Sequence, residues 1–165
     1  MVVMNERDHK IAALKARTGI DEPMIEQVVR SFYARIRADA LLGPVFEDRI
    51  LEWEPHLQRM FAFWSSVALM SGRYHGRPME KHERLPIDHR HFNRWIAVFE
   101  ETVGELCPPA AADTFVTLAR RIAVSLEASV ATRCGHLPVA GQRLKRPDDE
   151  VFLPARSIND GEHRV

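Results

Sequence analysis

An all-α domain is the fold class this sequence predicts, and three observations predict it. Through most of the chain, apart from short extended pieces near the ends, apolar residues recur every three or four positions rather than alternating, which is the spacing of one helix face. Asp or Pro stands where several of these runs begin, and Gly or Pro where they stop. The segment 53–71 is apolar around more than half of its circumference, so it must pack against two things.

Residues 5–17 predict a short helix stopped by Gly19, with only Ile11, Leu14 and neighbouring alanines on its apolar face. The next helix is stronger: Asp21 is its N-cap, Pro23 lies in its first turn, and Ile25, Val28, Val29, Phe32, Tyr33 and Ile36 form its inner stripe. Leu41-Leu42-Gly43-Pro44-Val45-Phe46 then reads as a Gly-Pro loop whose apolar neighbours imply that it folds over something. The helix 53–71, ending at Gly72, carries one stripe of Leu57, Met60, Phe61, Trp64, Val67 and Ala68. A second stripe of His56, Met60, Phe63 and Val67 runs beside it. The stretch 73–91 holds His75, His82, His89 and His91 among Pro78, Pro86 and Gly76, leaving room for a short helix at 78–85. On it Met79, His82 and Leu85 fall three apart, so His82 points to the apolar side, with Glu80, Lys81, Glu83 and Arg84 left for water.

A further helix starts at the N-cap Asp88, with Phe92, Trp95, Ile96, Phe99, Val103 and Leu106 inward, and stops at Cys107-Pro108-Pro109. The last, 110–133, turns Phe115, Leu118, Ile122, Leu126 and Val130 inward, and Gly135 ends it. The chain thus divides into an extension at 1–20, a domain at 21–136 and a tail at 137–165, the tail rich in Pro, Arg and Asp and partly disordered or packed along the surface.

Composition narrows the function. With 165 residues, 45% of them hydrophobic, one domain can bury close to about 70% of its unfolded surface, enough to enclose a cavity. Its 23 basic and 23 acidic side chains cancel, which removes the electrostatic reason to expect nucleic acid or an anionic membrane as partner. Two cysteines without CxxC spacing, early charges at Glu6, Arg7, Asp8 and Lys10, and no uncharged run longer than 60–72 point to a cytoplasmic protein with neither export signal nor membrane span.

No Walker loop, GxGxxG turn, GxSxG elbow or HExxH helix is present. Instead, polar-tipped side chains sit on apolar faces of four different helices: Tyr33, His56, His82 and Trp95. Singly, each has an ordinary structural role, since Tyr and Trp bury their apolar bodies in many cores, and a histidine on a three-residue stripe is as often packing as ligand. A zinc cluster among His75, His82, His89 and His91 is a competing arrangement, but prolines interrupt the seven-residue gaps and no matching carboxylate accompanies them. Four such residues converging beside a doubly apolar helix suggest a large flat ligand held by histidine. The alternative is a cofactor-free helical interaction module in which the same residues are packing.

The ordered motifs Ser31-Phe32-Tyr33, Leu42-Gly43-Pro44-Val45-Phe46, Trp53 through His56, Phe63-Trp64, Gly72-Arg73-Tyr74-His75-Gly76-Arg77-Pro78, Lys81-His82, Leu85-Pro86 and His91-Phe92-x-x-Trp95 resemble a truncated haemoglobin of the third group. The resemblance covers 24–132, and the absence of paired glycines at the helix breaks fits the third group better than the other two. It implies a shortened globin, two helices over two around haem b, with His82 as the proximal iron ligand and Tyr33, His56 and Trp95 lining the distal side. It also implies that Phe32, Phe46, Met60, Phe63, Met79, Phe92, Ile96 and Phe99 pack on the porphyrin. Tyr33 and Trp95 would then offer two fixed donors to a small ligand such as O2, CO or NO. A pocket of that kind holds oxygen too firmly for delivery, so redox handling (NO dioxygenation or peroxide chemistry with an external reductase) is expected rather than transport. The extension and tail have no counterpart in the family, and removing 137–165 is expected to leave haem binding intact.

Overall fold

The computed structural model describes residues 5–137 and 139–151, and among these it contains seven α-helices, one 3-10 turn and no strand. Helix α1 (Glu6–Thr18) is better defined than its thin apolar face suggests, because Asn5 and Asp8 form a reciprocal capping box and Gly19 closes the other end with φ 73°. Helix α2 (Glu22–Ala38) is capped by the Asp21 carboxylate, which accepts the Met24 N–H at 2.9 Å. Its whole predicted stripe, from Ile25 to Ile36, is buried.

The Gly-Pro segment is not a loop throughout. Gly43 begins a short helix, α3 (Gly43–Arg49), with Pro44 in its first turn. A Cβ at Gly43 would stand 2.8 Å from the Arg37 carbonyl oxygen, so the absent side chain lets α3 press on the end of α2.

Helix α4 (Trp53–Leu69) ends three residues before Gly72 and is capped by Met70 in the left-handed conformation. Hydroxyls hold the turn beyond it: Ser66 Oγ accepts the Tyr74 N–H at 2.8 Å, and Ser65 and Ser71 share a hydrogen bond. Helix α5 (Pro78–His82) is shorter than the 78–85 expected, since the chain turns after His82 through a Leu85 N–H bond to the His82 carbonyl. Helices α6 (His89–Leu106) and α7 (Pro109–Arg133) match the periodic segments closely.

Helices α2 and α4 form one layer and α6 and α7 the other, with α2 packed on α6, α4 on α7, and α5 held against α7. The main core lies between these layers around Phe32, Trp64, Phe99 and Phe115, where Trp64 and Phe99 stack at 4.8 Å. A second cluster gathers Val45, Ile87, Phe92, Leu126, Val130 and Leu144, and the half-buried Trp95, Ile96 and Ile122 border both clusters.

The described part of the tail is docked. Leu144 is buried, its N–H donates to Glu127 at 2.9 Å, and its carbonyl accepts the His89 N–H at 2.9 Å. Arg143 pairs with the same Glu127 carboxylate at 2.8 Å, and Arg146 donates its backbone N–H to the buried Asp88. Phe152, Leu153 and the rest of the tail lie outside the described residues. At the other end of the chain, α1 packs on α4 and α7.

Candidate functional site

Helix α5 presents His82 with its ring largely covered, and Nδ1 lies 2.6 Å from the Pro78 carbonyl oxygen. A carbonyl only accepts, so Nδ1 carries the proton and Nε2 keeps its lone pair, the tautomer of an imidazole ready to ligate a metal. Burial pushes the His82 pKa down, against the bond to Pro78, which raises it.

From α4, His56 lies close enough to His82 to feel its charge. Its pKa is pushed down to about 4, first by burial and then by the positive charges of Arg59, His82 and Lys81. His56 is therefore neutral at pH 7. Its Nε2 is buried and has no hydrogen-bond partner, an arrangement that a core built only for stability avoids because the lost hydration is not replaced.

Tyr33 of α2 meets the His56 ring edge-on at 5.0 Å. Burial is the first cause that raises its pKa, with nearby Tyr74 second, so the phenol stays protonated and able to donate. Among the described residues no hydrogen bond shifts that pKa. Trp95 of α6 is reached through Phe32, which touches Tyr33 at 5.1 Å and Trp95 at 5.5 Å. Its indole stacks on Phe99 at 5.6 Å with 6° between planes, so the ring carrying its N–H donor is held flat.

The second stripe of α4 ends up as the sequence required. His56, Met60, Phe63 and Val67 are all half-buried, beside the fully packed Phe61, Trp64 and Ala68. Of the other residues expected to contact a cofactor, Phe46 is half-buried against Tyr33 at 5.9 Å, and Ile96 is half-buried between the two core clusters. Phe32 and Phe99 sit deeper, beneath Trp95, while Phe92 is buried in the second cluster and Met79 is 37% exposed. Two residues missed from sequence line the same region: Trp53, whose ring lies 5.9 Å from His56, and Tyr74, edge-on to Phe63 at 5.2 Å. Both fall within the globin-like motifs, which was the available signal.

The other histidines of the 73–91 stretch turn elsewhere. His89 bonds the Leu144 carbonyl, His91 lies buried at the start of α6 where its Nδ1 accepts the Asp88 N–H, and His75 is exposed. Among the described residues, no three metal-ligating side chains gather in one place. A lone imidazole ligand, half-buried apolar and aromatic side chains, and an unpartnered imidazole nitrogen suit a flat metal-bearing ring better than a bare ion.

Comparison with known proteins agrees with that geometry. The family model described as bacterial-like globin matches residues 17–126. A group 3 truncated hemoglobin of Campylobacter jejuni is 33% identical over 90 residues, covering 52% of this chain and 71% of that protein. The crystal structure of the group III truncated hemoglobin from Campylobacter jejuni superposes with a TM-score of 0.62 at 28% identity, over 65% of this chain and 88% of that one. The chain belongs to the bacterial-like globins, as a truncated haemoglobin of the third group.

Proposed function

We propose that this globin holds haem b through His82 and binds O2 and other diatomic ligands such as CO and NO on the side lined by Tyr33, His56 and Trp95. The observation that carries the reading is the pair of neutral imidazoles on α5 and α4, one with its Nε2 lone pair available and the other with a buried Nε2 that nothing satisfies. When bound, haem supplies an iron centre that takes a diatomic ligand and exchanges electrons.

The protein's own groups tune that centre. The Pro78 carbonyl orients the His82 ring and keeps its proton on Nδ1. Met60, Phe63, Phe46 and Ile96 supply half-buried apolar surface for the porphyrin, with Phe32 and Phe99 bracing Trp95 from beneath. Tyr33 and Trp95 each carry one donor that stabilises negative charge developing on a ligand, and the dry surroundings strengthen both. A pocket with two such donors suits retention and redox conversion, NO dioxygenation or peroxide chemistry fed by an external reductase, rather than oxygen delivery.

Among the described residues no helix is long and apolar enough to cross a membrane, and cytoplasmic residence goes with this reading. A cofactor-free interaction module would leave the His56 nitrogen dry for no gain. An absorption spectrum decides between them: purified protein shows a Soret band that responds to dithionite and CO, and the band disappears in His82→Ala. Folded, colourless protein that takes up no added haem refutes the proposal.

A further inference from the structure

Trp53 is the first residue of α4, and its indole completes a three-ring group with Tyr33 at 6.1 Å and His56 at 5.9 Å. The same ring is gripped from the surface. The Arg37 guanidinium stands over it, 4.5 Å from the centroid, and the indole N–H donates to Glu47 Oε2 at 3.4 Å. Arg37 closes the triangle by donating from Nε to Glu47 Oε1 at 2.8 Å. That bond holds the Glu47 carboxyl below the ordinary range, so the clasp is charged at neutral pH. Arg37 comes from the last turn of α2, Glu47 from α3 and Trp53 from α4, so three helices meet at this one side chain.

We propose that Trp53, held by the Arg37–Glu47 clasp, is the movable outer wall of the distal pocket and sets how fast small ligands reach it. Two opposing tendencies make the wall movable. The clasp holds it shut through an ion pair and a cation–π contact between side chains that are about half exposed (49% for Arg37, 48% for Glu47), each a weak contact in water. Behind the wall, His56 Nε2 is buried without a partner, so admitting water would relieve its desolvation. A closed state with a weak external lock and an unsatisfied group inside lies near balance with an open one, and a small change at the surface shifts the populations.

The proposal rests on the haem reading for its kinetic test but not for its structural one. Glu47→Ala and Arg37→Met each break the clasp while leaving Tyr33, His56, Trp95 and His82 in place. In flash photolysis of the ferrous CO form of the full chain, both variants rebind CO from solvent faster by about threefold or more. Wild-type rebinding also speeds up as sodium chloride is raised, since CO is uncharged and salt weakens the exposed clasp, whereas the variants, which lack it, respond less. Independently, hydrogen exchange at the Trp53 indole N–H, followed by NMR, is faster in both variants. Wild-type rates, salt response and indole exchange in both variants overturn the proposal. A wild-type protein with no CO-sensitive band refutes the haem reading instead, and indole exchange then decides for or against the movable wall.

Discussion

Replacing Tyr33 by Phe separates function from stability, because the hydroxyl it removes lies in a buried residue and no hydrogen bond from the described residues shifts its pKa. Tyr33 is 6% exposed, and its ring contacts to Phe32, Phe46, Trp53 and His56 do not involve the oxygen, so Phe retains the packing. Because Phe keeps the ring and its packing, the thermal midpoint of the haem-free chain should change little. The ligand experiences the opposite. A net hydrogen bond of about 1.4 kcal/mol corresponds to about a tenfold change, so oxygen dissociation should speed up by about that factor, measured by stopped-flow displacement with excess CO. CO dissociation should change less, because CO gathers less negative charge for a donor to stabilise. Trp95 is pinned by its stack on Phe99, but His56 has an unused nitrogen and can take over from Tyr33, which would mask a single substitution. The double variant Tyr33→Phe, Trp95→Phe removes both fixed donors. If it releases oxygen no faster than wild type, the assignment of these two residues as ligand donors is wrong.

His82→Gly should purify without haem and regain a Soret band when imidazole and hemin are added, and haem retention with an unchanged ferrous spectrum would remove His82 as the ligand. Ending the chain after His136 should leave haem binding intact but cost stability, since it exposes the cluster that Leu144 covers and leaves Glu127 without Arg143; Leu144→Ala alone should cost about 2 kcal/mol in urea unfolding, and no change would mean that the tail only rests on the surface. The depressed pKa of His56 sets a pH dependence. Its pKa falls from 6.5 unfolded to about 4 folded, so below pH 6.5 the unfolded chain binds the proton first and the haem-free protein loses stability as pH falls to about 4. With the full shift discounted for the solvent that screens a half-buried ring, the loss should be about 1 to 2 kcal/mol. His56→Leu should flatten that slope in urea titrations at a series of pH values, and an equally steep slope in the variant would place the proton elsewhere.

Much of this protein is set by interactions that reach no farther than one helical turn. The Asp21 and Asp88 caps, the stripe from Ile25 to Ile36 and the spacing of Met79, His82 and Leu85 are relations between residues two to four apart, which is why they could be read directly from the chain and why the all-α class and the histidine on α5 followed from them. The resemblance to a globin likewise lay in short ordered motifs. What periodicity could not supply depends on residues distant in sequence. Gly43 lets α3 press on the end of α2 because a Cβ there would strike the Arg37 carbonyl, and periodicity around Gly43 does not reveal that approach. Segment 139–151 has no helical face, yet it docks through single residues, Leu144 and Arg143 on Glu127 and Arg146 on Asp88, and scattered contacts of this kind leave no repeat to detect. Trp53 looks from sequence like the first residue of a helix. Its role as a pocket wall exists only because Arg37, Glu47, Tyr33 and His56 arrive around it from other parts of the chain, and the His56 nitrogen is left without a partner by the same packing, which excludes water without providing a substitute.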